Sequence, residues 1–168
     1  IAVRPVNYDG KITSLYARTV AARGADFFLS LHHDSLPAHE QEVWLWNDKR
    51  LTYSDRYSGY SVHVSRRNVE SAVSSRCASA IGASMRLAGF VPTRHHYPKF
   101  PWADEENAVH WHDNLVVLHQ TTQPAVLFEA GVIKHRDEEL LLSDPERMAR
   151  MADAVATGVA ACLYSMPR

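Results

Sequence analysis

Hydrophobic positions along this chain fall into short continuous runs and longer runs of helical period, in alternation. Phe27, Phe28, Leu29 and Leu31 follow a Gly24-Ala25 break and end abruptly in His32, His33 and Asp34. Ala125, Val126, Leu127 and Phe128 repeat that form and end in Glu129. Runs this short and continuous predict strands covered on both faces of an α/β sheet. Leu115 to Leu118 predicts a short buried strand, and Gly59 to Ser65 alternates as a strand does. Helical spacing links Ile12, Leu15, Tyr16 and Thr19, closed by Arg23-Gly24, and again Val73, Cys77, Ala80, Ile81, Ser84 and Ala88, closed by Gly89. Residues 137–142 predict one or two helical turns. Asp144-Pro145-Glu146 is a strong helix start, and Met148, Met151, Ala152, Val155, Val159, Cys162 and Leu163 give the last helix a buried face.

Two stretches interrupt this order. Residues 35–56 are polar and aromatic, a surface excursion with a β-like run from Glu42 to Trp46. Residues 90–113 hold Pro92, Pro98, Pro101 and four histidines, which predicts a long irregular loop. The fold class expected is α/β, a single mostly parallel or mixed sheet flanked by helices. At 168 residues the chain is read as one domain, 1–168.

Bulk properties narrow the function. A hydrophobic share of 46% and a charged share of 22% are those of a globular protein, and a net charge of -1 argues against a nucleic-acid partner. No apolar run reaches the roughly 20 residues of a transmembrane segment. Cys77 and Cys162 lack metal or redox spacing and sit at apparent helical core positions, so they are expected to be buried free thiols.

Familiar catalytic signatures break off. His39-Glu40 opens a zinc-protease pattern that meets Val43 where the second histidine belongs, and Gly59-Tyr60-Ser61 opens a hydrolase elbow that fails at His63. No phosphate-cradling glycine loop is present. What remains is the pair of strand ends. If the two apolar strands are parallel neighbours, His32 and Glu129 project at one edge, an imidazole suited to a metal and a carboxylate suited to moving a proton. On spacing alone they could equally be ordinary polar strand ends.

The segment Ala25-Asp26-Phe27-Phe28-Leu29-Ser30-Leu31-His32-His33-Asp34-Ser35 resembles the A-D-x-F-[IL]-S-[IL]-H-x-[DN] motif of zinc-dependent N-acetylmuramoyl-L-alanine amidases, the type 3 cell-wall amidases. Pro124 to Ile133 resembles their P-A-[VI]-L-x-E-x-G-[FV]-[IL] motif, in the same order. Arg4, the Leu15 to Arg18 helix, Leu115 to Leu118, Glu138-Glu139 to Leu142 and the terminal helix fill matching places. The resemblance implies the zinc amidase, phosphorylase/hydrolase-like fold, with His32 as a zinc ligand and Glu129 as the catalytic carboxylate. It implies hydrolysis of the amide between N-acetylmuramic acid and L-alanine of peptidoglycan, in the periplasm or outside the cell. The family's G-H-G-G turn and helical glutamate, which carry its other two ligands, have no match here. The domain is therefore expected to lack an N-terminal strand and helix. The alternative is a catalytically silent relative that binds peptidoglycan fragments or a regulatory protein partner.

Among the other polar residues, His33 points to the opposite face of a continuing strand from His32. His33, His95, His96 and Arg66 are the candidate substrate contacts, Arg66 because a guanidinium suits a muropeptide carboxylate. His110 and His112 read as a solvated pair, and His39, His63, His119 and His135 are given no role. The aromatic excursion with Trp44, Trp46, Tyr53, Tyr57 and Tyr60 is expected to pack against the sheet rather than form a sugar-contacting rim.

Overall fold

The computed structural model describes residues 1–94, 96 and 98–166. Helix α1 (Leu15–Ala21) starts at Ser14, whose hydroxyl accepts the Ala17 amide, and delivers the chain to strand β1 (Phe28–Asp34). A hairpin of β2 (Glu42–Trp46) and β3 (Lys49–Tyr53) follows, then β4 (Ser61–Val64) and helix α2 (Ser71–Leu87). Two short strands, β5 (Trp102–Asp104) and β6 (Val109–Trp111), precede helix α3 (Val116–His119) and strand β7 (Ala125–Val132). Helices α4 (Arg136–Leu141) and α5 (Pro145–Ser165) complete the chain, α5 with Asp144 accepting the Arg147 amide at 2.7 Å ahead of Pro145.

Five strands form one mixed sheet in the order β1-β7-β4-β6-β5, and β2-β3 stand apart as a pair of their own. The β1–β7 and β4–β6 pairs are parallel, while β4–β7 and β5–β6 are antiparallel. This is the α/β class that the alternating runs predict. Val62, Val64, Val126 and Phe128 turn to α2 and α5 and form the main core with Ile81, Met85 and Val155. Leu127 and Ala125 turn the other way, onto Val117 and Leu118 of α3. Gly158 makes the α2–α5 approach: a Cβ there would lie 2.4 Å from Ile81 Cα.

Four sequence expectations change. Cys77 and Cys162 are not free thiols but a disulfide that joins α2 to α5, their Cα atoms 5.0 Å apart. Helical periodicity places each on a buried face, and only the crossing of the two helices shows that those faces meet. Leu115 to Leu118 is mostly helix α3 rather than a strand, since a four-residue apolar run carries no period to tell the two apart. The 90–113 stretch is not wholly irregular; it contains β5 and β6, each three residues long. Strand β1 is not covered on both faces: it is an edge of the sheet, and Leu31 is 66% exposed.

Candidate active site

Strand register assembles the site. His32 of β1 lies opposite Glu129 of β7, which lies opposite Ser61 of β4. Paired residues of neighbouring strands share a face, so these three belong to the face turned away from α2 and α5. His63 and His110, paired across β4 and β6, continue that row. A shift in register between His32 and Asp34 then carries the Asp34 carboxylate toward Glu129.

The loop after α2 folds over this row. His96 Nε2 lies 3.0 Å from Asp34 Oδ2 and 3.3 Å from Ser61 Oγ, and Ser61 Oγ lies 3.0 Å from His63 Nε2. The His96–Asp34 approach is an ion-pair contact, and the Ser61 hydroxyl, with a single proton to give, bridges the His96 and His63 imidazoles. His110 donates from Nδ1 to the Phe100 carbonyl at 2.9 Å and stacks on Trp102 at 3.9 Å. Phe100 stacks on His112 at 3.8 Å. Burial holds His63 well below the ordinary histidine pKa, aided by the charges of His96 and His110, and burial lowers His112 as well. His63 and His112 are therefore neutral at pH 7.

Glu129 is the opposite case. Burial first, and the Asp34 charge second, push its carboxyl up to about 8. Its Oε2 is buried and has no hydrogen-bond partner among the described residues. Burial lowers His32, with Arg18 and His33 adding to the effect. Below the site, Gly131 explains the glycine two places after Glu129. It holds φ at +152°, and a Cβ there would sit 2.8 Å from the Glu138 carboxyl carbon. Glu138, itself buried, accepts the amides of Gly59 and Val132 at 2.9 and 2.8 Å and lies 3.4 Å from Arg147. The carboxyl end of β7 is thus held to β4, α4 and α5, while Ile133 N–H donates to the Asp34 carbonyl at 3.0 Å.

Of the residues expected from sequence, His32, Glu129 and His96 are brought into one neighbourhood. His33 lies beside them, exposed on the edge strand. His95 lies outside the described residues. Arg66 stands beyond the far end of β4, away from Glu129, with its guanidinium and amide both on Asp113 at 2.9 and 2.8 Å. His110 is buried rather than one of a solvated pair, and His63, given no role, sits fully inside the layer. Sequence reasoning missed Ser61 and the His63–His110 contact. The signal available was parity, since Ser61 with His63 and His110 with His112 are each two apart and so share a face of a strand.

Three imidazoles surround that of His63, with ring centres 4.8 Å (His96), 5.5 Å (His110) and 5.7 Å (His112) from its own, but they pack ring against ring rather than aim their nitrogens at one point. Among the described residues no group of three His, Cys, Asp or Glu side chains could hold a metal ion. A protein zinc site takes three or four such donors; among the described residues His32 is the imidazole in register with Glu129.

The sequence profile of the N-acetylmuramoyl-L-alanine amidase family (Amidase_3) matches residues 4–161. The chain belongs to this family. A search of curated proteins finds no match. Solved structures similar to this amidase-family chain include the N-acetylmuramyl-L-alanine amidase Ami1 from Mycobacterium smegmatis, at 20% identity and a TM-score of 0.69 over 90% of this chain and 61% of that one. An N-acetylmuramoyl-L-alanine amidase from Clostridium difficile 630 is 16% identical with a TM-score of 0.68, over 92% of this chain and 67% of that one. The CwlD amidase from Clostridioides difficile, solved in complex with the GerS lipoprotein, is 16% identical with a TM-score of 0.62, over 98% of this chain and 72% of that one. These likenesses concern the amidase fold. The chain spans about three fifths of the length of the first of them.

Proposed function

We propose that this domain, residues 1–168, belongs to a peptidoglycan hydrolase that cleaves the amide between N-acetylmuramic acid and the L-alanine of the stem peptide. The observation that carries the reading is Glu129: a buried carboxyl with an unpartnered oxygen, paired in register with His32 at the carboxyl ends of two parallel strands. Family membership supplies the bond.

A carboxyl raised to about 8 both takes and gives a proton near neutrality, which is what amide hydrolysis asks of one group acting first on water and then on the leaving amine. In its ionised form Glu129 takes the water proton at the unpartnered Oε2 and then gives it to the leaving amine. Burial first, and the nearby Asp34 charge second, bring the carboxyl to where both forms are populated near neutrality, and His96 lies 3.0 Å from Asp34. His33 and His96 are the proposed substrate contacts.

Zinc, the family's metal, would have one donor in His32, and the set is incomplete among the described residues. Bound, it would polarise the scissile carbonyl and acidify its water. The same incomplete set favours a second reading, a catalytically silent domain that binds peptidoglycan or a protein partner; a protein partner is proposed because the structurally similar CwlD was solved with GerS. A periplasmic or extracellular setting is proposed from the family and agrees with the Cys77–Cys162 disulfide, a bond that persists outside the reducing cytosol. Among the described residues no helix is long and apolar enough to cross a membrane.

The test is release of new L-alanine amino termini from purified peptidoglycan, with zinc content measured on the same sample. Turnover should fall about 10²–10⁴-fold in Glu129→Gln with metal content unchanged, and His32→Ala should lose both. Full turnover in Glu129→Gln overturns the assignment. A protein that neither carries zinc nor gains it on dialysis, and has no turnover, leaves the silent reading.

A further inference from the structure

The β2–β3 hairpin does not pack against the sheet as the sequence suggested. It stands as its own pair of strands, and one side closes a cleft of about 510 Å³ against the segment that follows β7. We infer that this cleft, formed by Trp44, Trp46, Tyr53, Lys134, Arg136 and Asp137, is a binding subsite for N-acetylhexosamine rings of a glycan strand. The inference rests on the peptidoglycan reading for the identity of the saccharide.

Four observations carry it. Trp44 and Trp46 stack at 5.3 Å and 29°, making a continuous indole surface, and Trp46 is 55% exposed. A pyranose ring offers one face of C–H bonds, whose partial positive charge suits the negative face of an indole. An exposed aromatic pair in a cleft with polar walls marks a ligand site more than a surface accident.

The cations of the cleft are already engaged. Arg136 Nε donates to Asp55 at 2.9 Å, and its guanidinium lies 4.0 Å from the centre of Tyr53 and 5.0 Å from that of Trp44. Lys134 Nζ donates to Thr52 Oγ1 at 3.3 Å. Against these two cations stand three carboxylates, Asp55, Asp137 and Glu139, so the lining carries a net charge of 2 − 3 = −1. An acidic stem peptide finds no spare positive charge there. A neutral sugar, whose hydroxyls and acetamido group both donate and accept, does find both kinds of partner.

The local backbone is ordered for the purpose. Ser54 N–H donates to the Lys134 carbonyl at 2.9 Å, which pins the end of the hairpin to the cleft's other wall, and Tyr53 Oη donates to Glu42 at 3.0 Å across the hairpin itself. Position also fits. Lys134 is five residues after Glu129, at most roughly 18 Å along an extended chain, and Ile133 is bonded to Asp34 beside Glu129. A glycan strand whose muramic acid reached Glu129 would carry neighbouring rings to the hairpin.

The experiment titrates the whole protein with N,N′,N″-triacetylchitotriose, which has the sugar rings and no peptide, while following tryptophan fluorescence. A second titration uses the dipeptide L-alanyl-D-glutamate, and the amidase assay is run on the same preparation. Saturable binding of the trisaccharide that weakens at least tenfold in Trp46→Ala and is largely restored in Trp46→Phe is expected. Both variants should keep the wild-type circular dichroism, because Trp46 is half exposed. No saturable binding of the trisaccharide, binding that Trp46→Ala leaves unaltered, or a tryptophan response to the dipeptide alone overturns the subsite. Saccharide binding without turnover supports the subsite and counts against the amidase reading, whereas turnover without saccharide binding does the reverse.

Discussion

On one face of the sheet Val62, Val64, Val126 and Phe128 meet α2 and α5 in a dry core; on the other, their immediate neighbours Ser61, His63 and Glu129 meet a loop that carries His96 and Phe100. The same two strands supply both. On the first face burial stabilises, because apolar atoms lose nothing on leaving water. On the second it costs, since burial strips solvent from a carboxyl and from imidazoles that lack a full set of partners. A domain can carry the second face only because the first is tightly held.

That comparison can be broken from its stable side first. Reducing Cys77–Cys162, or replacing both by Ala, releases an 85-residue loop and should cost roughly 4–5 kcal/mol on the chain-entropy account, read as a fall in the urea midpoint. If the midpoint does not move, the helix pair is held by packing alone. Ile81→Ala, on the same face and fully buried, should cost about 3 kcal/mol with no dependence on pH between 5 and 9.

The polar face should respond with the opposite sign. Glu129 has its folded pKa raised to about 8, above its unfolded value, so the folded state binds the extra proton and stability declines as pH rises between about 4.5 and 8. Allowing for solvent on its open side, Glu129→Gln in metal-free protein should raise stability at pH 8 by about 2 kcal/mol while removing turnover. A variant that is destabilised instead would mean that the carboxyl is held by partners. The smallest effect concerns His63, whose folded pKa is depressed. Its contribution is present above pH 6.5 and lost as pH falls below that value. Relative to wild type, His63→Gln should gain stability as pH falls below 6.5. Parallel acid curves for the two proteins would place the sensitive group elsewhere.

Legibility followed the kind of signal each part carries. Helices α2 and α5 were readable to within a residue or two, because periodic apolar positions and the Asp144-Pro145 start act within one turn. His32 and Glu129 were readable as a pair because each closes an apolar run of similar form, and the parallel β1–β7 register bears out their placement. Helix α3 was misread as a strand for want of length. Ser61 goes unmarked in the sequence, and His110 reads there as solvated and His63 as without a role, because each takes its meaning from a neighbour on another strand or on the loop after α2.

By itself the sequence determined which residues are apolar, where most elements start and stop, and that an imidazole and a carboxyl end two similar runs. Those properties act over a few bonds and survive without a fold. The tertiary structure alone decided that β1 is an edge, that Cys77 meets Cys162, that the β2–β3 hairpin pairs apart from the main sheet and against Lys134 and Arg136, and that burial and Asp34 together raise Glu129 to about 8. Each of these depends on desolvation or on contact between residues far apart in the chain, and neither exists until the strands have chosen their partners.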